Sequence, residues 1–359
     1  MKKLLIANWK MNPATRASVD DYVRDFVEEQ RTFHESDDVA FWIAPPSLYV
    51  RDLVDALSPE VFIGAQDVSE EEQGARTGEI SAAMMADTGA SFAIIGHSER
   101  RAFHGEDNGM VAKKVLRALE SGLRTVVCVG ESREERDRGR ANDVVARQVR
   151  ECLEGIRRRQ EQNPTFGSGL PRRSQSLTPR NDDNDVVSVR KGESYLCEES
   201  ATKQSQYHAQ DCPPTGRQAS DFSEKILAMT AIRHREPESS KARRSQHHAR
   251  DDHSRIRKDS LVAMGGQNIL IAYEPVWAIG SGTPPSAAEI RDMRDVIRGE
   301  LATLFGEGAK SIRILYGGSV TSENAWETIV APTMDGALIG GASLEAREFV
   351  EIGSVLLDR

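Results

Sequence analysis

The feature that most constrains this chain is a rhythm of eight short apolar runs separated by longer amphipathic ones. The apolar runs fall at 4–9, 39–43, 61–65, 92–95, 125–129, 269–273, 312–316 and 337–339. They lack strict polar alternation, which predicts strands covered on both faces. Between them, stretches such as 18–33, 110–121, 142–156 and 286–305 repeat apolar residues at spacings of three and four, the helical pattern. Eight strands that are each followed by a helix predict a closed, parallel (β/α)8 barrel of the α/β class; a six-stranded doubly wound sheet accounts for fewer of the runs.

One segment breaks the rhythm. From 158 to 267 neither helical nor strand periodicity is sustained, and the composition is Arg, Ser, Gln, Asp, His and Pro with no Trp. It is expected to be a polar, low-complexity, disordered insertion between the helix after strand five and strand six. Only 222–232 has the apolar spacing of a helix, and that stretch is too short to be stable alone. The chain thus divides into 1–157 with units one to five, the insertion at 158–267, and 268–359 with units six to eight. Without the insertion about 250 residues remain, the usual size of one barrel. The insertion enters at the N-terminal ends of the strands, away from the face where barrels carry chemistry, and carries about four more basic than acidic residues.

With 359 residues, 38% of them hydrophobic, and a net charge of -9, the chain can bury a sizeable core and stay soluble by charge. No run of about 18 apolar residues exists, so no membrane partner is expected. The apolar start at 1–7 is broken by Asn8 and Lys10 well before it could serve as a signal peptide, and reads as a strand. Cys128, Cys152, Cys197 and Cys212 show neither metal-ligand nor disulfide-framework spacing. That predicts a reduced, cytoplasmic setting and no metal.

Several strand ends carry groups suited to chemistry. Glu274 stands where the apolar run 269–273 meets a loop with Pro275, Gly280 and Gly282. A carboxylate on a rigid strand end beneath a loop that can close suits a general base, although a lone Glu there is more often simply solvated. Asn8 and Lys10 end strand one; a snorkelling lysine is the alternative. His97 ends strand four at the start of a helical turn, where the helix N-terminus disfavours the imidazolium and leaves a neutral ring able to polarise a carbonyl. A structural histidine is the competing reading. Glycine pairs 317–318 and 340–341 follow strands seven and eight, where backbone amides can approach a phosphate.

Together these residues resemble one family, the triosephosphate isomerases. The chain carries NWK at 8–10, GHSERR at 96–101, CVGES at 128–132, AYEPVWAIGSG at 272–282, YGGSV at 316–320 and IGGASL at 339–344, in family order. The resemblance covers 1 to about 157 and about 268 to 359. It implies a TIM barrel and the interconversion of dihydroxyacetone phosphate and D-glyceraldehyde 3-phosphate through an enediol(ate), a step of glycolysis and gluconeogenesis, with no cofactor. It implies Glu274 as the base, His97 as the neutral electrophile, Lys10 as a cation facing enediolate and phosphate, and Asn8 as a holder of substrate and lysine. Gly280, Ser319, Gly340 and Gly341 would bind the phosphate, with Ser98 and Glu99 behind the catalytic groups, Glu131 in a supporting role, and 275–282 as the lid.

The same resemblance implies a homodimer, with 73–79 as a finger inserted beside the partner's NWK region and Thr77 at the contact. Arg76 occupies a finger position where an aromatic is expected, and Ser281 and Thr283 also depart from the usual lid pattern. No nucleic-acid partner follows from this reading. The alternative is a catalytically impaired barrel whose basic insertion serves as a docking or nucleic-acid-binding segment, since Arg and Lys cluster at 241–258.

Overall fold

The computed structural model describes residues 2–31, 38–162, 268–278 and 284–357. Its eight strands are β1 (Lys3–Asn8), β2 (Val39–Ala44), β3 (Phe62–Ala65), β4 (Phe92–Ile95), β5 (Arg124–Val129), β6 (Ile269–Tyr273), β7 (Arg313–Tyr316) and β8 (Gly336–Ile339). They pair in parallel in sequence order and β8 closes on β1, giving the expected barrel. The long break in the described chain between β5 and β6 leaves no gap in the sheet. Five residue pairs, from Thr125↔Ile269 to Val129↔Tyr273, join those strands.

The helices are α1 (Arg16–Gln30), α2 (Val50–Leu57), α3 (Ala82–Asp87), α4 (Ser98–His104), α5 (Asn108–Glu120), α6 (Arg133–Asp137), α7 (Ala141–Gln162), α8 (Ala287–Phe305) and α9 (Ala346–Val355). Local sequence sets their starts. Ser286 caps α8 by accepting from the Glu289 amide while the Glu289 carboxylate returns to Ser286, a reciprocal capping box worth about 1 kcal/mol. After β7 the chain makes only a π-helical turn, Trp326–Val330. Helix α7 runs through Gln162, so the division expected at 157 falls inside a helix. The disorder expected for the rest of 158–267 and the short helix expected at 222–232 lie outside the described residues.

Strand side chains alternate between faces, and this produces two cores. Inside the barrel lie Leu4, Ile6, Trp42, Ala44, Phe92, Ile94, Val126, Cys128, Leu270, Ala272, Leu315 and Leu338. The intervening residues, among them Leu5, Ile43, Ile95, Val127, Ile271 and Ile314, face the helices and form the larger core with α1, α2, α3, α5, α7, α8 and α9. Both faces are buried, which is why the runs carry no alternation in the sequence.

Candidate active site

The alternation that fills the barrel also aims its mouth. Asn8 continues the inward series of Leu4 and Ile6, and Glu274 continues that of Leu270 and Ala272, so both project over the C-terminal end of the core. Gly130 and Gly317 occupy the equivalent places on β5 and β7, the two neighbours of β6. A Cβ on Gly130 would lie 1.7 Å from the Glu274 carbonyl oxygen, and one on Gly317 would lie 2.8 Å from Glu274 Cγ. Glu274 can sit where it does because both flanking strand ends lack side chains.

His97 reaches the same point by a different route. The backbone turns at Gly96, and His97 then caps α4, its Nδ1 accepting the Glu99 amide at 3.3 Å. A ring whose Nδ1 accepts a backbone N–H is neutral with its proton on Nε2, a tautomer assigned from the hydrogen bonding. Nε2 lies 3.1 Å from Glu274 Oε1. That contact is close without hydrogen-bond alignment, and Oε1 is left buried with no hydrogen-bond partner, whereas Oε2 accepts the Ser98 amide at 2.8 Å. Glu274 is 1% exposed, so it is not a solvated strand-end residue. A buried carboxylate oxygen left unsatisfied costs roughly 1–3 kcal/mol or more, so Glu274 stands to gain by taking another partner.

Lys10 supplies the nearby positive charge. Its Nζ pairs with Glu99 Oε1 at 2.6 Å, and its amide donates to Asn8 Oδ1 at 3.1 Å. Its φ of 53° places a non-glycine residue in the left-handed region, a strain that concentrates at functional sites. Asn8, Lys10 and His97 line one cavity of about 180 Å³ together with Ser319, Gly340 and Gly341. Glu274 stands behind His97 and does not itself line this cavity.

The remaining expected residues are distributed around this centre. Glu131, fully buried, accepts from Trp277 Nε1 at 2.8 Å, Tyr273 Oη at 3.2 Å and Arg136 at 3.2 Å, and the Arg136 guanidinium lies over the Trp277 ring. This ties the start of the loop after β6 to β5 and α6. Burial first, and the neighbouring Glu274 carboxylate second, push the Cys128 thiol well above its usual range, which suits an inert core residue. Thr77 is exposed in the loop after β3, apart from the cavity. Gly280 and the second half of the expected lid, 279–282, lie outside the described residues.

Four residues contribute here in ways not read from the sequence: Gly130, Gly317, Gln66 and Arg101. Gly130 and Gly317 clear space for Glu274, and the signal was their inward register two residues beyond Cys128 and Leu315. Gln66, in the inward series of Phe62, donates from Nε2 to the carbonyls of Lys10 and Ala44, each at 2.9 Å. Arg101 on α4 donates to the Gly96 carbonyl at 2.9 Å and the Cys128 carbonyl at 3.3 Å, fixing the turn that carries His97 to the ends of β4 and β5. Such backbone-directed bonds leave no periodic trace in a sequence.

Comparison with known proteins gives the same answer over most of the chain. The family model described as triosephosphate isomerase matches residues 3–165 and 236–356. The chain is 31% identical over 354 residues to the triosephosphate isomerase of Moorella thermoacetica, covering 98% of each chain. It is 30% identical over 358 residues to that of Nocardia farcinica, covering 99% of this chain and 96% of the other. The crystal structure of triosephosphate isomerase from Bartonella henselae superposes with a TM-score of 0.61 at 25% identity, covering 99% of both chains. A closed eight-stranded barrel, a buried carboxylate against a helix-capping histidine and a match across both parts of the barrel lead to one conclusion: the chain belongs to the triosephosphate isomerase family.

Proposed function

We propose that this enzyme interconverts dihydroxyacetone phosphate and D-glyceraldehyde 3-phosphate, with Glu274 as the base. The observation that carries the assignment is the buried Glu274 Oε1, 3.1 Å from His97 Nε2 and without a hydrogen-bond partner. Glu274 leaves the Ser98 amide, turns toward the cavity and takes a proton from the carbon beside the carbonyl. The His97 Nε2 proton polarises the carbonyl oxygen, and the neutral ring then moves protons between the two oxygens of the enediol(ate). This pairing of a Glu base with a neutral, helix-capping His is the established chemistry of the family, not a new assignment. Glu274 returns the proton to the adjacent carbon, so no net oxidation or cofactor is involved.

Lys10 offsets charge on enediolate and phosphate, and Asn8 holds both the lysine amide and the substrate. Ser319, Gly340, Gly341 and, from the loop after β6, Gly280 grip the phosphate through backbone amides, which suits loops after strands seven and eight. Glu99 holds Lys10 in place, and Ser98 holds the resting carboxylate.

A homodimer is part of the same proposal. Met11 is 95% exposed and Phe103 80%, and both line a second cavity, of about 250 Å³, that opens beside Lys10 and His97. Large exposed apolar groups at the edge of a site suit an interface, here one that receives the partner's loop around Thr77. A cytoplasmic location is proposed from the free, buried Cys128 and Cys152 and from the absence, among the described residues, of any helix long and apolar enough to cross a membrane. The decisive test is isomerisation of D-glyceraldehyde 3-phosphate by the full chain in a coupled assay. Turnover that disappears in Glu274→Gln is the expected result; turnover that survives it removes Glu274 from the mechanism.

A further inference from the structure

We propose that Gln66 is a positioning residue for this reaction: it holds Lys10 in its left-handed backbone conformation and thereby sets where the ammonium meets the substrate. The inference rests on the reading of Lys10 as the substrate-facing cation. A lysine at φ 53° is held against its own preference, since in the left-handed region its Cβ crowds the following carbonyl oxygen. Something must restrain the peptide groups on either side. On the amide side, Asn8 Oδ1 accepts the Lys10 N–H at 3.1 Å. On the carbonyl side the restraint is Gln66, whose Nε2 donates at 2.9 Å to the Lys10 oxygen.

The same Nε2 donates at 2.9 Å to the Ala44 carbonyl, which also accepts the Trp9 amide at 3.1 Å. Gln66 therefore ties the loop after β1 to the end of β2 from its own place beyond β3. Both of its partners are backbone acceptors, so only an N–H group satisfies them and the amide has one usable orientation. Gln66 also lines the cavity that contains Lys10, Glu99 and His97. Asn8 and Gln66 thus fix both peptide groups of Lys10, leaving its side chain free to span between Glu99 and the phosphate loops.

The test is a double-mutant cycle in the full chain, comparing parent, Gln66→Met, Lys10→Ala and the double variant by steady-state isomerisation and thermal unfolding. Methionine keeps the volume and removes the donor. Gln66→Met should raise KM for triose phosphate about tenfold while kcat falls less, because binding of the phosphate is lost first. In the Lys10→Ala background the same substitution should change KM less than about twofold, since the group it positions is gone. An equal loss in both backgrounds makes Gln66 a general structural residue and overturns the proposal. Parental kinetics in Lys10→Ala takes down the assignment of Lys10 and the proposal with it, a result distinct from an uncoupled cycle. If Gln66→Met does not fold, Gln66→Asn, which keeps the amide but withdraws it by one methylene, enters the same cycle; an unchanged KM there rejects the proposal.

Discussion

The barrel axis holds a buried ionisable side chain at each end, and the two have different surroundings. At the C-terminal mouth Glu274 is 1% exposed, bonded through one oxygen to the Ser98 amide and left with the other unsatisfied. At the N-terminal end Arg124, in the inward series of Val126 and Cys128, is 6% exposed with its guanidinium 4.7 Å from the Phe62 ring centre and 5.5 Å from that of Trp42. Burial, and then the nearby Arg313, lower the Arg124 pKa, and the aromatic faces offset part of that cost. A charge covered by packing closes the barrel. A charge held beside an open cavity with an idle oxygen is available for chemistry.

The sharpest way to break this comparison is at the mouth. His97→Gln removes the group that moves protons between the substrate oxygens and should lower kcat by roughly 10² to 10⁴ with the barrel still folded, as circular dichroism would report. A variant within threefold of the parent would leave the histidine a structural cap only. Glu274→Asp withdraws the carboxylate by about 1 Å and should cost on the order of a hundredfold in kcat, with KM nearly unchanged. If KM carries the loss instead, Glu274 binds substrate and another group is the base.

At the opposite end the expected signs differ. Arg124→Met should leave kcat unchanged and lower stability by about 1 kcal/mol through lost contact with the aromatic rings, a shift of roughly 2–4 °C in Tm for a domain of this size. Any change in pH–rate profile would mean the two ends are coupled.

The smallest effect concerns the ion cluster behind α4, where Arg100 and Lys114 face Asp67 and Glu106. The two acids shift oppositely. Burial, opposed by Lys114 and Arg100, raises the Asp67 carboxyl to about 6, whereas hydrogen bonds from Lys114 and Arg100 overcome burial to lower Glu106. A folded pKa above the unfolded value means that ionised Asp67 costs stability above about pH 6, and that the cost fades as pH falls toward 4. Asp67→Asn takes a charged partner from Lys114 and Arg100 and should lower stability, but by less at pH 8 than at pH 5, because the parent bears the full cost of ionised Asp67 only at the higher pH. Equal losses at both values would place the effect in packing rather than in ionisation.

What the sequence revealed divides along the same axis. All eight strands were legible because both faces are buried and the runs are apolar throughout, as in Leu4 to Ala7 or Val126 to Val129. The side chains that gather at the mouth, Asn8, Lys10, His97 and Glu274, could be picked out because they stand at strand ends in distinctive order. The support beneath them was not. Nothing in the string links Gln66 to the Lys10 carbonyl, or Arg101 to the Cys128 carbonyl 27 positions away, because both partners are backbone atoms common to every residue. The extent of α7 was also missed at its end, where Arg157, Arg158 and Arg159 continue the helix through pairs with Glu154 and Glu120 rather than through an apolar stripe.

The pairing of β5 with β6 has a consequence for how such a barrel can be divided. Thr125 and Ile269 meet across a seam that looks, from the sheet alone, like any other parallel junction. Because loop-closure entropy grows only logarithmically, lengthening a connection from about ten residues to about a hundred costs roughly 2 kcal/mol, which leaves the register in charge of assembly rather than the tether. The tether is then dispensable in principle. Residues 1–162 and 268–359, supplied as two polypeptides, should recognise each other through that strand edge and its β8–β1 counterpart, so that one gene could be split into two at this junction while the product remains a single enzyme.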